Sequence, residues 1–431
     1  MLTRIFGYPR YLNLQGSLIS ENTQISRVSL TFQTWKNALN RRNIEVGLLA
    51  LLHGVQHVYL YALPPLYLLL RAEFNVSTFQ IGLLGSVSGV ISIFQGPAGY
   101  LVERFGSKRL AVLSMLCCSA AVFLYGLAPA FEFLLIISAL FALSQVVFHP
   151  ATYAMVTQRA SASNKAKYIS YHQVGGFIGS AIGTMLVAAL ASTLGWRSTL
   201  QVIPVAGLCI ILLFWKFVND DTHMVQQPNS SSTDQIPSES KEFRFTLPLF
   251  ILILSISTLS IGNLQNFIPL FLSEAYGEDV VWAGILTGVM IAIGSVASLL
   301  GGALSDKYDK TLIMIIANLG LAITTILLAM GQFTSALLLL ILILYGVARY
   351  LPVPAQHALS SITAAEHPQG IGFSYTGIAL GQVVSAPLVG YLIDSLGART
   401  TFLVCSVFPL ISIIILIIFR NVSRTRLPKN K

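Results

Sequence analysis

Charged side chains are scarce in this sequence: 26 Lys and Arg and 17 Asp and Glu among 431 residues, or 10%, where a soluble domain carries about a quarter. Hydrophobic residues make up 55% and the mean hydropathy is +0.74. That leaves too little polar surface to solvate globular cores of this length, which argues against a soluble enzyme. Acids are the scarcer sign and the net charge is +9, yet the cations punctuate apolar blocks instead of gathering on one face. No nucleic-acid footprint is therefore expected. Cysteine is scarce too. Cys117, Cys118, Cys209 and Cys405 all lie in apolar runs without disulfide spacing or a CxxC pattern, so they read as packing residues, and no metal or cofactor is expected.

Apolar runs long enough to span a bilayer, about 20 residues each, are abundant. Six are predicted near 46–70, 78–102, 110–128, 132–157, 168–194 and 198–218, and six more near 246–272, 281–304, 311–330, 335–361, 371–394 and 400–419. The expected fold is an all-α integral membrane protein: a tail over 1–45, a six-helix bundle over 46–218, a polar linker over 219–245, a second bundle over 246–419 and a tail over 420–431. The first 43 residues carry Arg4, Arg10, Arg27, Lys36, Arg41 and Arg42 against Glu21 alone. They read as a cytoplasmic tail, the organelle transit peptide being the other reading of an Arg-rich, acid-poor start. With both termini cytoplasmic, the bias of basic residues toward one side of the membrane is strong. Only Arg71, Arg197 and Arg399 fall outside, and Arg349 falls within a span.

The halves repeat. Gly99-Tyr-Leu-Val-Glu103-Arg104-Phe-Gly106 recurs 203 residues on as Gly302-Ala-Leu-Ser-Asp306-Lys307-Tyr-Asp309, and Gly195-Trp-Arg197 recurs 202 residues on as Gly397-Ala-Arg399. Gly179 and Gly381 keep the same 202-residue step. Matching landmarks in the same membrane orientation indicate a duplicated six-helix bundle with parallel repeats.

Gly99, Leu101, Glu103, Arg104, Gly106, Lys108 and Arg109 resemble the GxLxDRxGxKR loop of the major facilitator superfamily, and Gly302, Leu304, Asp306 and Lys307 resemble its weaker second copy. A narrower resemblance is to the fosmidomycin-resistance type of drug exporter, through His53, Pro64-Pro65-Leu66, Phe148-His149-Pro150 and Gln173-Val174-Gly175-Gly176 followed by Gly179. The resemblance implies transport by alternating access and a loop latch that breaks when the bundles rock, with Glu103 in place of the usual Asp. On physical grounds Gly99 removes a side chain where helices approach, Gly106 permits a tight turn, and Glu103 is placed to meet a helix N-terminus or a basic partner. Arg104, Lys108 and Arg109 alone would be explained as topology anchors.

Gly175, Gly176, Gly179 and Gly183 in span five, and Gly377, Gly381, Pro387 and Gly390 in span eleven, are expected to let backbones pack closely where the halves meet. The exporter pattern shows a Gly-Pro pair where this chain has Gly183-Thr184, while Pro387 occupies the related place in span eleven.

Polar groups inside spans carry the functional signal. Arg349 lies near the middle of span ten, where an insertion scale sets the cost at about 2.5–3.5 kcal/mol, so it faces protein or water. It reads as a fixed cation for an anionic group on the cargo, or as a structural arginine satisfied by neighbouring carbonyls. Five of the seven histidines (His53, His57, His149, His172 and His357) fall in predicted spans, with His53 and His57 one helical turn apart. Taken singly, each reads as a neutral core residue; together they point to a polar centre. In the exporter pattern a carboxylate stands at the position of His57 and an acid follows the His-Pro pair, where this chain has Ala151. No Asp or Glu remains near any predicted mid-span, so His57 or His53 is the candidate proton site.

The expected cargo-binding set is Arg349, His53, His57, Gln56, Tyr59, His149, Gln173, Asn263, Asn266 and His357. It fits a proton-linked exporter of neutral or anionic drug-like compounds, with a uniporter or importer of an organic anion as the alternative. The expected partners are a small solute, protons and the lipid bilayer of the cell membrane, and the chain is expected to act as a monomer. Two other classes stay open: a membrane metalloenzyme or sensor using the His53 and His57 pair, and a lipid-handling or signalling protein built on a transporter fold.

Overall fold

A computed structural model describes residues 21–95, 98–161, 164–219, 243–261, 264–364 and 370–424. Most of the polar linker, the extreme termini and Asn263 lie outside these residues. Chain contacts separate a small unit ending at Glu45 from one compact unit running from Val46 to Lys431. In the small unit, Arg41 pairs with Glu45 one turn on, at 3.4 Å.

The first repeat is built from α1 (Glu21–Leu60), α2 (Tyr67–Phe74), α3 (Thr78–Ser92), α4 (Ala98–Phe105), α5 (Ser107–Tyr125), α6 (Phe131–Arg159), α7 (Lys165–Leu194) and α8 (Trp196–Phe217). The second comprises α9 (Phe243–Ile261), α10 (Ile268–Tyr276), α11 (Val280–Lys307), α12 (Lys310–Met330), α13 (Ser335–Tyr350), α14 (Val353–Ala364), α15 (Gly370–Leu396), α16 (Ala398–Cys405) and α17 (Val407–Arg424). No strand occurs among the described residues.

Among the described residues, ten segments are long and apolar enough to cross a membrane, and Thr78–Ser92 and Leu249–Leu259 are shorter apolar helices. Extended by α4 and α10, these two complete twelve spans in two parallel six-helix repeats. Only 33–56% of the apolar window of each long span is buried. The apolar remainder faces outward and is matched by lipid, not water. The chain is a multi-pass membrane protein.

Several spans are interrupted where the sequence removes backbone donors. Span one stops at Leu60 and resumes after a 3-10 turn at Pro64–Leu66, with Pro64 and Pro65 both lacking an N–H. Span seven has a matching turn at Gln265–Phe267, followed by Pro269 in the first turn of α10. Span ten breaks between Tyr350 and Val353, around Pro352. The region expected as a polar tail is helical from Glu21 onward.

The repeat seen in sequence has a structural cause. Gly195 and Gly397 stand at φ +77° and +79° before α8 and α16, a conformation that excludes other L-residues at low cost. That turn aims Arg197 at the carbonyls of Gly126 and Ala128, the latter at 2.7 Å, and Arg399 at those of Ala329 and Gly331, the latter at 2.6 Å. Each arginine thereby ties off a preceding helix end and satisfies its orphan carbonyls.

Candidate functional site

In the first repeat, α1, α6 and α7 converge on four imidazoles. His53 is 1% exposed. It stacks on His172 with ring centroids 4.1 Å apart and meets His57 and His149 edge-on at 4.6 and 5.4 Å. Its Nδ1 donates to the His172 carbonyl at 2.8 Å, and its Nε2 is buried without a partner. His57 Nδ1 lies 2.7 Å from Ser180 Oγ, which itself donates to the Gly176 carbonyl. The serine oxygen therefore accepts from the imidazole, which leaves Nε2 of the half-buried His57 outside that bond. His172 Nε2 contacts Thr152 Oγ1 at 3.3 Å. The sequence brought His53, His57 and His149 forward for this site; His172 completes it.

Three other expected members lie elsewhere. Tyr59 does not line the site: its hydroxyl binds Ser119 at 3.0 Å and presses on Gly207, between α5 and α8. The reason is helix phase, because two residues rotate the side chain by about 200°, whereas four return it to the same face. Tyr61, four residues beyond His57, stacks with it at 6.3 Å. Gln56 is fully buried and bonds Gln145, which reaches Cys118 Sγ at 2.9 Å, so it belongs to a packing network with α5 and α6. His357 is exposed on α14. Gln173 and Asn266 are half-buried.

The second repeat contributes Arg349, at the end of α13. Its Nε is buried and unpartnered, as is the hydroxyl of Tyr345 one helical turn earlier. Among the described residues no carboxylate pairs with this arginine. Its guanidinium carbon lies 5.2 Å from the ring centroid of Tyr350. Buried donors left unsatisfied are costly, and two side by side mark a place for an acceptor. Tyr345 was legible in sequence only as the residue one turn before the arginine.

The repeats meet along α3 with α15 and along α7 with α11. At one end, the Asp394 carboxylate accepts from the amides of Thr78 and Phe79 at 2.9 and 2.8 Å, closing the N-terminus of α3. Beside it, Arg71 pairs with Glu274 at 2.6 Å. At the opposite end Glu103 is exposed and makes no ion pair with a described residue, and Asp306 and Lys307 are exposed as well. Lys108 lies over Trp215 at 4.6 Å, Arg104 over Phe105 at 5.4 Å, and Arg109 is exposed. Gly106 stands at φ +88° and makes the expected turn. A Cβ at Gly99 would meet nothing within 4 Å and one at Gly302 only Pro354 at 4.0 Å. The close approach expected at Gly99 is absent here.

The glycine stripes also correct an expectation. Gly175, Gly176, Gly179 and Gly183 pack on Ala50, His53, Gly54 and Val58 of α1, and Gly377 and Gly381 on α9, within their own repeats. The helix faces turned toward the other half carry Ala181, Thr184, Met185 and Ala188 against Gly284 and Gly288, and Pro387 and Gly390 against Gly82 and Thr78.

Comparison with known proteins places this architecture. A family model for the Major Facilitator Superfamily matches residues 49–365 and 352–431. The chain belongs to the Major Facilitator Superfamily. Within it, the chain is 22% identical to the Fosmidomycin resistance protein of Escherichia coli, over 86% of this chain and 91% of that one. It is 24% identical to the Cis,cis-muconate transport protein of Acinetobacter baylyi, over 90% and 96%. It is 24% identical to the Probable nitrate transporter NarT of Staphylococcus haemolyticus, over 58% and 64%. A bacterial homologue of the human lysosomal transporter Spinster, solved inward-facing and occupied, superposes with a TM-score of 0.75 at 15% identity, covering 90% of this chain and 99% of that one. As a Major Facilitator Superfamily member the chain is a transporter of small molecules, not an enzyme.

Proposed function

We propose that this transporter exports a small anion from the cell by proton-linked alternating access, with Arg349 as the fixed cation that binds the cargo. The observation that carries the reading is the pair of buried, unpartnered donors, Arg349 Nε and Tyr345 Oη, in a span without a carboxylate to neutralise them. A guanidinium in that setting favours an oxyanion and repels organic cations. Relatives named for muconate and nitrate handle anions, and the resistance protein fits outward movement. His57 is the proton-exchanging group, through its open Nε2, and His53 is the buried neighbour that holds the cluster together. With both termini in the cytoplasm, the Asp394 end faces outward, and the Glu103 loop is the latch that forms when the bundles rock the other way.

The test is counterflow in proteoliposomes with cis,cis-muconate and nitrate as anionic probes and tetraethylammonium as the cationic one. Arg349→Gln is expected to lower anion counterflow at least about tenfold, the scale of a lost charge-assisted hydrogen bond. Movement of neither anion by the wild type, or equal loss for anions and cation, contradicts the cargo site. Transport indifferent to an imposed pH gradient removes the role of His57.

A further inference from the structure

Gln265, in the turn that interrupts span seven, is 2% exposed and reaches both halves of the molecule. Its Nε2 donates to Tyr350 Oη of the second repeat at 2.9 Å and to Tyr61 Oη of the first at 3.3 Å. An amide nitrogen has two hydrogens, and both are spent on these oxygens. Each phenol oxygen is thereby an acceptor toward the glutamine, and the Tyr350 hydroxyl also bonds that of Tyr61, which spends one phenol hydrogen and leaves that of Tyr61 to be donated elsewhere. Tyr350 adjoins Arg349, and its ring is held edge-on by Phe177 of α7 at 5.9 Å. Tyr61 adjoins His57 across a stacked pair.

We infer that Gln265 is a positioning residue that sets the Tyr61 hydroxyl, directly and through Tyr350, toward an anion on Arg349, making a cargo site whose donors come from both halves and which takes an oxyanion with at least two acceptor oxygens. This rests on the reading of Arg349 as the cargo site. The guanidinium of one half and the Tyr61 O–H of the other are then the donors offered to cargo. A carboxylate or nitrate has an oxygen for each, whereas an organic cation meets a charge of its own sign. Because Tyr61 belongs to one half and Arg349 and Tyr350 to the other, a bridging oxyanion binds best when the halves are drawn together. Cargo thereby favours the occluded form through differential contacts.

The experiment is cis,cis-muconate counterflow by Gln265→Leu, Tyr61→Phe, Tyr350→Phe and the Gln265→Leu/Tyr61→Phe double variant, with melting temperatures of the purified proteins. Gln265→Leu is expected to raise KM about tenfold while Vmax and the melting temperature hold, and the double variant is expected to be no worse than about twofold beyond it. An unchanged KM overturns the inference. So does a joint fall of Vmax and melting temperature at constant KM, the mark of a purely structural tie. Should Gln265→Leu fail to fold, the two Phe variants decide, since each deletes one oxygen and is expected to raise KM. If Arg349→Gln transports the anion normally in the same assay, the cargo reading itself has failed. If that variant is inactive while KM is unmoved in Gln265→Leu, only this inference is lost.

Discussion

The two repeats share a backbone and differ in their chemistry. Stepping 202 residues from the first repeat to the second turns His53, His57, His149 and His172 into Ser255, Leu259, Leu351 and Ser374, while Arg349 corresponds to Val147. Among the residues that keep their identity across the same step are Gly179 with Gly381, Gly195 with Gly397 and Arg197 with Arg399. They hold helices together or close helix ends. Duplication preserved the scaffold, and the polar centre diverged: one half presents a hydrogen-bonded cluster of imidazoles, the other a guanidinium whose Nε has no partner. Outside the Glu103 loop and its second copy, the repeated residues named here are structural, and the unrepeated polar ones are the candidates for the cargo site.

The comparison is broken most severely at His53. Its ring packs under Gly176 and donates to the His172 carbonyl, so His53→Ala is expected to cost about 2–3 kcal/mol of stability, from a buried void plus a lost hydrogen bond. Arg349→Gln, by contrast, is expected to leave the melting temperature nearly unchanged. Thermal unfolding of both variants in detergent checks this; equal destabilisation would erase the distinction between a packed cluster and a free cation. A smaller and matched effect is expected for Arg197→Ala and Arg399→Ala. Each loses charge-assisted bonds to carbonyls, about 1.5–2 kcal/mol apiece, with counterflow per folded molecule retained. Unequal losses would show that the repeat is less faithful in energy than in geometry.

The smallest expected effect is at Asp309, in the loop between α11 and α12. Partial burial pushes its carboxyl up, but the Arg420 guanidinium at 2.9 Å and the amides of Thr311 and Leu312 outweigh that and hold it below the ordinary value of 3.8. A carboxyl depressed in the folded state stabilises above the unfolded pKa and stops doing so as pH falls through the folded one. The gap in melting temperature between wild type and Asp309→Asn is therefore expected at neutral pH and to close below about pH 3.8. The first repeat has Gly106, not an acid, at the corresponding turn, so no matching pH-dependent gap is expected there.

Much of this was legible in the sequence, and the exceptions have physical causes. Span number, the duplication and the isolation of Arg349 follow from run length, offset and the scarcity of mid-span charge, properties that survive folding. The histidine pair on α1 follows from helical spacing. The same spacing, applied consistently, separates Tyr61, on the His57 face, from Tyr59 on the opposite one. Gln265 was legible as a polar group of the cavity but not as a link between the halves, and Tyr345 and Asp394 were not legible as functional or joining groups, because these roles arise from contacts between segments far apart in the chain, such as the 316 residues between Thr78 and Asp394. The glycine stripes were legible as close-packing surfaces. Their partners were not, since a small residue says that a backbone approaches but not which one.

The central claim, that the unrepeated arginine is the anion site, is most directly tested by ligand-dependent thermal stability of the purified transporter, because a ligand that binds the folded state raises its melting temperature by mass action. Cis,cis-muconate or nitrate is expected to raise the melting temperature of the wild type in a concentration-dependent way, tetraethylammonium is expected to leave it unchanged, and Arg349→Gln is expected to respond to none of them. An undiminished anion shift in Arg349→Gln, or a cation shift as large as the anion shift in the wild type, would contradict it.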